Sequence, residues 1–116
     1  NLPPWAIEEN YDKIKKRTSN LEYYHFNLVH LLQDFESFFD MIYVSNITET
    51  MNKKESTLLF NLCAKRLNKG GKLVVWNNMV ERKPDDLWQL EENLTRELWE
   101  KRLSSFYGHF GVYSLK

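Results

Sequence analysis

An amphipathic helix pattern lying between two short apolar runs constrains the fold of this chain most strongly. Residues 38–44 are almost continuously apolar, which is typical of a strand buried on both faces of a parallel sheet. A capped apolar stripe over residues 52–67 predicts a helix, which ends before Gly70 and Gly71. Residues 72–76 form the second run. This strand-helix-strand order predicts a right-handed crossover between parallel strands.

The remainder of the chain continues the alternation of helix and strand. Helices are predicted over residues 4–17, 28–34 and 84–103, and further strands over residues 21–26 and 110–115. Pro84 supports the start of the last helix, because proline suits the first helical position. We therefore expect a single α/β unit over residues 1–116, with a mostly parallel sheet and flanking helices.

Composition excludes several classes of partner and site. The 16 Lys and Arg residues balance 16 Asp and Glu residues, so no net field favours nucleic acid, and no nucleic-acid partner is expected. No apolar run approaches the roughly 20 residues of a membrane-spanning helix, which predicts a cytoplasmic protein. The single cysteine, Cys63, excludes an internal disulfide, and its place on a helical apolar stripe predicts a small buried hydrophobe.

Three predicted strands end in an asparagine: Asn27, Asn46 and Asn77. The carboxyl ends of parallel strands share one edge of a sheet, where ligands bind, so a polar ligand can lie along these amides. Asparagine also favours turns, and this simpler interpretation stays open. Glu49 follows the second strand end and is a candidate for binding an ammonium group or acting as a base, or it is a solvated acid of a first helical turn.

Other reactive residue types give weaker signals. The three histidines have no metal-ligand spacing, so no metal site is expected. A serine-hydrolase elbow and a phosphate-binding loop are both missing from the sequence. Of the four tryptophans, Trp76 ends a predicted strand and is placed to contact a ligand, whereas Trp5, Trp88 and Trp99 are expected mostly in the core.

Residues 39–46, Glu49 and residues 67–77 together resemble the fourth and fifth strands of S-adenosylmethionine-dependent class I methyltransferase-fold enzymes. Shorter motifs are similar to one family, the S-adenosylmethionine:diacylglycerol 3-amino-3-carboxypropyl transferases that begin betaine-lipid synthesis. These motifs are Ser45-Asn46 with Glu49, Trp76-Asn77 with Val80 and Arg82, and the stretch Leu2-Pro3-Pro4-Trp5 before the first helix.

The resemblance implies transfer of the aminocarboxypropyl group of S-adenosylmethionine, the co-substrate, to a lipid hydroxyl. It places Asn27 near the adenine, and Ser45 and Asn46 near the amino-acid portion of the co-substrate. Glu49 is the implied catalytic residue. The resemblance also places Trp76, Asn77 and Arg82 on the acceptor side. A diacylglycerol-like acceptor implies peripheral contact with a membrane.

The chain has asparagine at Asn27, where related enzymes often have aspartate, and its more serious departure from this family is an absence. The glycine-rich turn after the first strand and the acid after the second are both missing, so the resemblance predicts a Rossmann-like methyltransferase fold without its first two strands. We therefore expect the carboxyl-terminal part of a larger domain, completed by its amino-terminal half or by another chain. A methyltransferase fragment, a non-catalytic α/β interaction module and a dimer formed through an unpaired strand edge remain alternatives.

Overall fold

The computed structural model describes residues 2–102 and 107–116, which form one four-stranded sheet and four α-helices. The strands are β1 (Phe39–Ser45), β2 (Leu67–Asn77), β3 (Trp88–Leu90) and β4 (His109–Leu115). The α-helices are α1 (Glu8–Lys16), α2 (Leu28–Asp34), α3 (Lys53–Arg66) and α4 (Glu92–Glu100). Short 3₁₀ turns occupy Pro4–Ala6, Thr18–Asn20 and Ile47–Thr50.

The sheet is mixed, with the strand order β1-β2-β4-β3. Strands β1 and β2 are parallel, whereas β4 lies between β2 and β3 and is antiparallel to both. The predicted mostly parallel, Rossmann-like sheet is therefore wrong. The chain leaves β2, forms β3 at the sheet margin, and returns through α4 so that β4 runs back between them. Hydrophobic periodicity reports which residues are buried but not which way a strand runs.

The strand-helix-strand unit β1-α3-β2 agrees with the prediction and contains the core. Asn52 begins α3 through a capping box, in which its side chain accepts from the Glu55 amide and the Glu55 carboxylate accepts from the Asn52 amide. The apolar side of α3 packs on one face of the sheet. The buried side chains of this core include Ile42, Val44, Leu59, Phe60, Cys63, Leu73 and Val75.

Three predicted elements differ from the structure. The helix predicted over residues 4–17 is divided at Ile7, whose backbone is extended, into the 3₁₀ turn Pro4–Ala6 and α1. Residues 21–26 are not a strand, and the side chains of Leu21, Tyr23 and Phe26 are exposed. Residues 84–91 do not begin a helix, because Asp85 forms a turn instead. The Asp85 side chain accepts from the Leu87 amide, and the Asp85 backbone carbonyl accepts from the Trp88 amide. The helix begins only at α4, and the predicted helix end at residue 103 lies outside the described residues.

Strand β1 also differs from the predicted strand buried on both faces. Ile42 and Val44 point into the core, whereas Met41 and Tyr43 on the other face are 62% and 53% exposed. Side chains alternate between the two faces of a strand, so one apolar run supplies both a packed and an open surface. Met41 and Tyr43 on this open surface line a cavity of the candidate site.

Candidate functional site

The parallel pair places Ser45, Asn46 and Trp76 together at the carboxyl ends of β1 and β2. Ser45 lies opposite Trp76 in the strand register, and the amide of Asn46 donates to the Trp76 carbonyl at 2.9 Å. Asn46 then takes the left-handed conformation with a φ of 59°, which turns the chain away from the sheet. Asparagine tolerates this conformation better than most residues, so both its binding and its turn interpretations fit the local geometry.

The side chain of Asn46 presents a hydrogen-bond acceptor at this edge. Its Oδ1 is buried and has no donor within the described parts of the chain. Most buried polar atoms in proteins are hydrogen-bonded, and since Asn61 Oδ1 and Trp88 Nε1 are also unpaired here, the Asn46 oxygen is one candidate ligand contact among several unpaired atoms. An ammonium group or another donor on a ligand would satisfy it.

Asn27, which lies far from Asn46 in sequence, faces the same end of the sheet. Its Oδ1 caps α2 by accepting from the amides of Val29 and His30, at 3.0 and 3.4 Å. Asn27 also lines a cavity of about 400 Å³ together with residues of the turn that follows Asn46, including Ile47, Thr50 and Met51. The structure thus brings the predicted adenine-side residue next to the segment after β1.

Glu49 holds the loop that follows β2. Its Oε1 accepts from the amides of Met79 and Val80, at 2.5 and 2.9 Å. The hydrogen bond from the Val80 amide, supported by that from Met79, holds the pKa of Glu49 below its usual value. A carboxylate stabilised in this way is a weak base, so the geometry favours a positioning role, and a catalytic role for Glu49 stays a prediction.

Asn77 and Arg82 link the segment after β1, residues 47–51, to the loop that follows β2. Asn77 is buried, its Nδ2 donates to Thr48 Oγ1 at 2.9 Å, and its Oδ1 accepts from the Arg82 amide at 3.1 Å. The Arg82 Nη2 donates to the Met51 carbonyl at 3.2 Å. Both residues were predicted on the acceptor side, but these bonds direct their side chains into the protein. Thr48 was missed because nothing in its sequence neighbourhood predicts complete burial.

A second, larger cavity lies on the open face of the sheet. Its volume is about 670 Å³, and its walls include the aromatic side chains of Trp5, Tyr43, Trp76, Tyr107 and Phe110. The rings of Trp76 and Phe110 have centroids 4.2 Å apart. Trp5 was expected in the core but is 65% exposed, whereas Trp88 is buried as predicted. Tyr107 was missed, because it precedes β4 without any recognisable motif.

Among the described residues, Cys63 and the possible metal ligands offer no second site. Cys63 is fully buried in α3, as predicted, and burial raises the pKa of its thiol to about 12, so it stays protonated at neutral pH. Within residues 2–102 and 107–116, no three His, Cys, Asp or Glu side chains converge as a metal-ligand set. The candidate site therefore consists of the edge around Asn46 and the aromatic cavity beside it.

Comparisons with known proteins found no matching family model, no similar curated protein and no similar solved structure. The resemblance to the aminocarboxypropyl transferases thus depends on the sequence motifs alone.

Proposed function

We propose that this chain is part of an S-adenosylmethionine-dependent transferase that moves the 3-amino-3-carboxypropyl group to a lipid hydroxyl. The observation that carries the proposal is the cavity that Asn27 shares with the turn Ile47–Thr50, which directly follows Asn46 at the carboxyl end of β1. Ligands of α/β proteins bind beyond such strand ends. The proposal includes completion of the site by the amino-terminal half of the same domain or by another chain.

In this reaction the lipid oxygen attacks the carbon beside the sulfonium. A carbon–oxygen bond forms, the carbon–sulfur bond breaks, and its electron pair stays on the sulfur of the departing methylthioadenosine. The hydroxyl proton passes to a general base, which the amino-terminal half of the domain or the other chain would supply. Because the lowered pKa of Glu49 makes it a weak base, the contribution of the described residues is to orient the two reactants and to exclude water.

The buried Oδ1 of Asn46 supplies the orientation of the co-substrate. An α-ammonium group donating to this oxygen would place the transferred chain beside Ser45 and Trp76. Glu49 supports this arrangement indirectly, since it fixes the 79–80 loop that continues from β2. The neighbouring aromatic cavity supports a lipid acceptor, and a lipid acceptor in turn implies peripheral contact with a membrane. Across the described ranges, every helix is too short or too polar to cross a bilayer.

Isothermal titration of S-adenosylmethionine and methylthioadenosine into the chain, alone and in its natural full-length context, tests the proposal. The informative variant is Asn46→Gly, because glycine keeps the left-handed backbone while removing the amide. We expect the full-length protein to bind both compounds. Asn46→Gly should lower its affinity for S-adenosylmethionine by about tenfold, which is the effect of losing one hydrogen bond to a charged group.

Asn20→Gly is the matched control, because Asn20 is an exposed asparagine in the turn after α1. It should bind as the parent does. Methylthioadenosine has no ammonium group, so its affinity should respond little to Asn46→Gly. A full-length protein that binds neither compound, or an Asn46→Gly variant that binds S-adenosylmethionine normally, would overturn the proposal.

One observation favours an interaction module as a second candidate. Leu21, Tyr23 and Phe26 are exposed between α1 and α2, and Tyr23 is 91% exposed. Large exposed apolar side chains that lie close together in sequence can form a contact surface for another protein. Light scattering of the isolated chain tests self-association. A concentration-dependent dimer that is lost in Tyr23→Ser supports this candidate, and a strict monomer opposes association of the chain with itself.

A further inference from the structure

The aromatic cavity has the size and chemistry of a binding site for an aliphatic chain. Its volume of about 670 Å³ falls within the roughly 300–1,000 Å³ typical of small-molecule sites. Its base is the open face of the sheet, where Tyr43 pairs with Val74 and Trp76 pairs with Phe110. Trp5 closes one side. These walls are apolar, so their contact with an aliphatic chain would remove apolar surface from water on both partners.

The charge of the cavity indicates a neutral occupant. Arg102 is the one charged residue among its described lining residues. The guanidinium of Arg102 already lies 3.7 Å from the centre of the Trp99 ring and donates to the Trp99 carbonyl at 2.7 Å. This cation is therefore engaged at the rim, and a second charge within the apolar walls would be costly.

Hydroxyl groups gather where the cavity meets the strand ends. Ser45 Oγ lies 3.3 Å from the Tyr107 hydroxyl, and Tyr43 is on the same face of β1, two residues before Ser45. Tyr43 and Tyr107 also line the cavity. The apolar walls thus lead directly to a cluster of groups that both donate and accept hydrogen bonds, next to Asn46.

We propose that this cavity binds the aliphatic chain of a neutral amphiphile and that Tyr43, Ser45 and Tyr107 bind its hydroxyl head. The inference rests on the proposed function, because it locates the acceptor relative to the transferred group. A hydroxyl held at Ser45 lies at the same strand ends as Asn46, so the nucleophile and the co-substrate would meet there. Tyr43 and Tyr107 become specificity-determining residues.

Tryptophan fluorescence provides the test, because Trp5 and Trp76 line the cavity and bromine quenches indole emission on contact. The probe is a long-chain alcohol with bromine on its chain, added to the whole protein in bromine-free detergent. We expect saturable quenching. The methyl ether of the same brominated chain can accept but cannot donate a hydrogen bond, and it should bind at least about threefold more weakly.

Met41→Arg is the informative variant, since Met41 lines the cavity and its side chain is largely exposed, so the core is left intact. It should lower the affinity for the brominated alcohol, measured from the quenching curve, by about tenfold or more, because it adds a charge to an apolar site. Leu21→Arg is the matched control on an exposed apolar residue outside the cavity lining, and it should bind as the parent does. Tyr107→Phe should reduce the preference for the alcohol over the ether, because it removes one of the three hydroxyls proposed to bind the head.

The outcomes separate this inference from the proposed function. Quenching that is unsaturable, or equal in Met41→Arg and Leu21→Arg, would overturn the inference, even if S-adenosylmethionine binds. Equal quenching by brominated phosphatidylcholine vesicles would mean that the aromatic face lies on a bilayer, and would also overturn it. Saturable alcohol binding without any S-adenosylmethionine binding would support the cavity assignment and contradict the transferase.

Discussion

The two faces of the sheet are built from alternate residues of the same strands, yet they differ sharply in packing. On the face covered by α3, the side chains of Val44, Leu59 and Leu73 are each at most 1% exposed. On the opposite face, Met41 and Tyr43 of β1 stay largely exposed and line an aromatic cavity. The first face stabilises the fold. The second face also buries Val74 and Val112, but its β1 margin is open and available for binding, so the exposed residues there should respond differently to mutation.

The largest expected effect tests this division directly. Phe60→Ala removes a buried ring from the packed face and should lower the free energy of unfolding by about 3–5 kcal/mol. Met41→Ala on the open face should change it by less than about 0.5 kcal/mol, as for other exposed positions. Urea denaturation followed by circular dichroism measures both. Similar losses in the two variants would mean that the open face is covered in solution.

A smaller effect is expected at the edge where the two faces meet. Asn77→Ala leaves the Thr48 hydroxyl and the Arg82 amide without their partner, and should cost about 2 kcal/mol of unfolding free energy. In a double-mutant cycle with Thr48→Val, the two losses should not add, because they break one hydrogen bond. If the two losses of unfolding free energy were additive, the hydrogen bond between Asn77 and Thr48 would contribute nothing to stability. That result would contradict the link between the segment after β1 and the loop after β2.

The smallest effect concerns the pH dependence of stability. The pKa of Glu49 is lowered in the folded protein by the Val80 and Met79 amides, so the unfolded chain binds its proton more readily. The stabilisation is therefore present above the usual value of 4.5 and is lost as the pH falls through the lower, folded value. Glu49→Gln should flatten the pH profile of unfolding in this range. An unchanged slope would contradict the carboxylate's role in holding the loop.

A matched control for that profile is Glu97→Gln on α4. The pKa of Glu97 is also lowered, first by its hydrogen bond to Lys101, but this pair is exposed on a helix surface. Exposed pairs contribute little and are screened by salt. The Glu97→Gln profile should therefore converge with that of the parent in high salt, whereas the difference made by Glu49→Gln should persist.

The elements that the sequence predicted well are those with local determinants. The capping box of Asn52 and Glu55 and the apolar stripe of α3 act within a few residues, and they predicted that helix closely. The meeting of Ser45 with Trp76 followed from the crossover geometry of a strand-helix-strand unit. These inferences needed no knowledge of distant parts of the chain.

The failures involve partners that are remote in sequence. The direction of β4 depends on a return through α4, and residues 21–26 have the aromatic composition of a strand without a strand paired to them in the described structure. At the site, the burial of Asn77 depends on Thr48, and the role of Tyr107 depends on its approach to Ser45. Composition and periodicity carry no information on such long-range pairs.

The position of β4 also determines the order in which the sheet can assemble. Among the described strands, β3 pairs with β4 alone, and β4 is the last to leave the ribosome. The β1-α3-β2 unit can form early from neighbouring contacts, whereas β3 must wait for β4 to be inserted beside β2. During synthesis, the free margin of β2 is therefore open to pairing with other chains until the seven-residue strand β4 closes it.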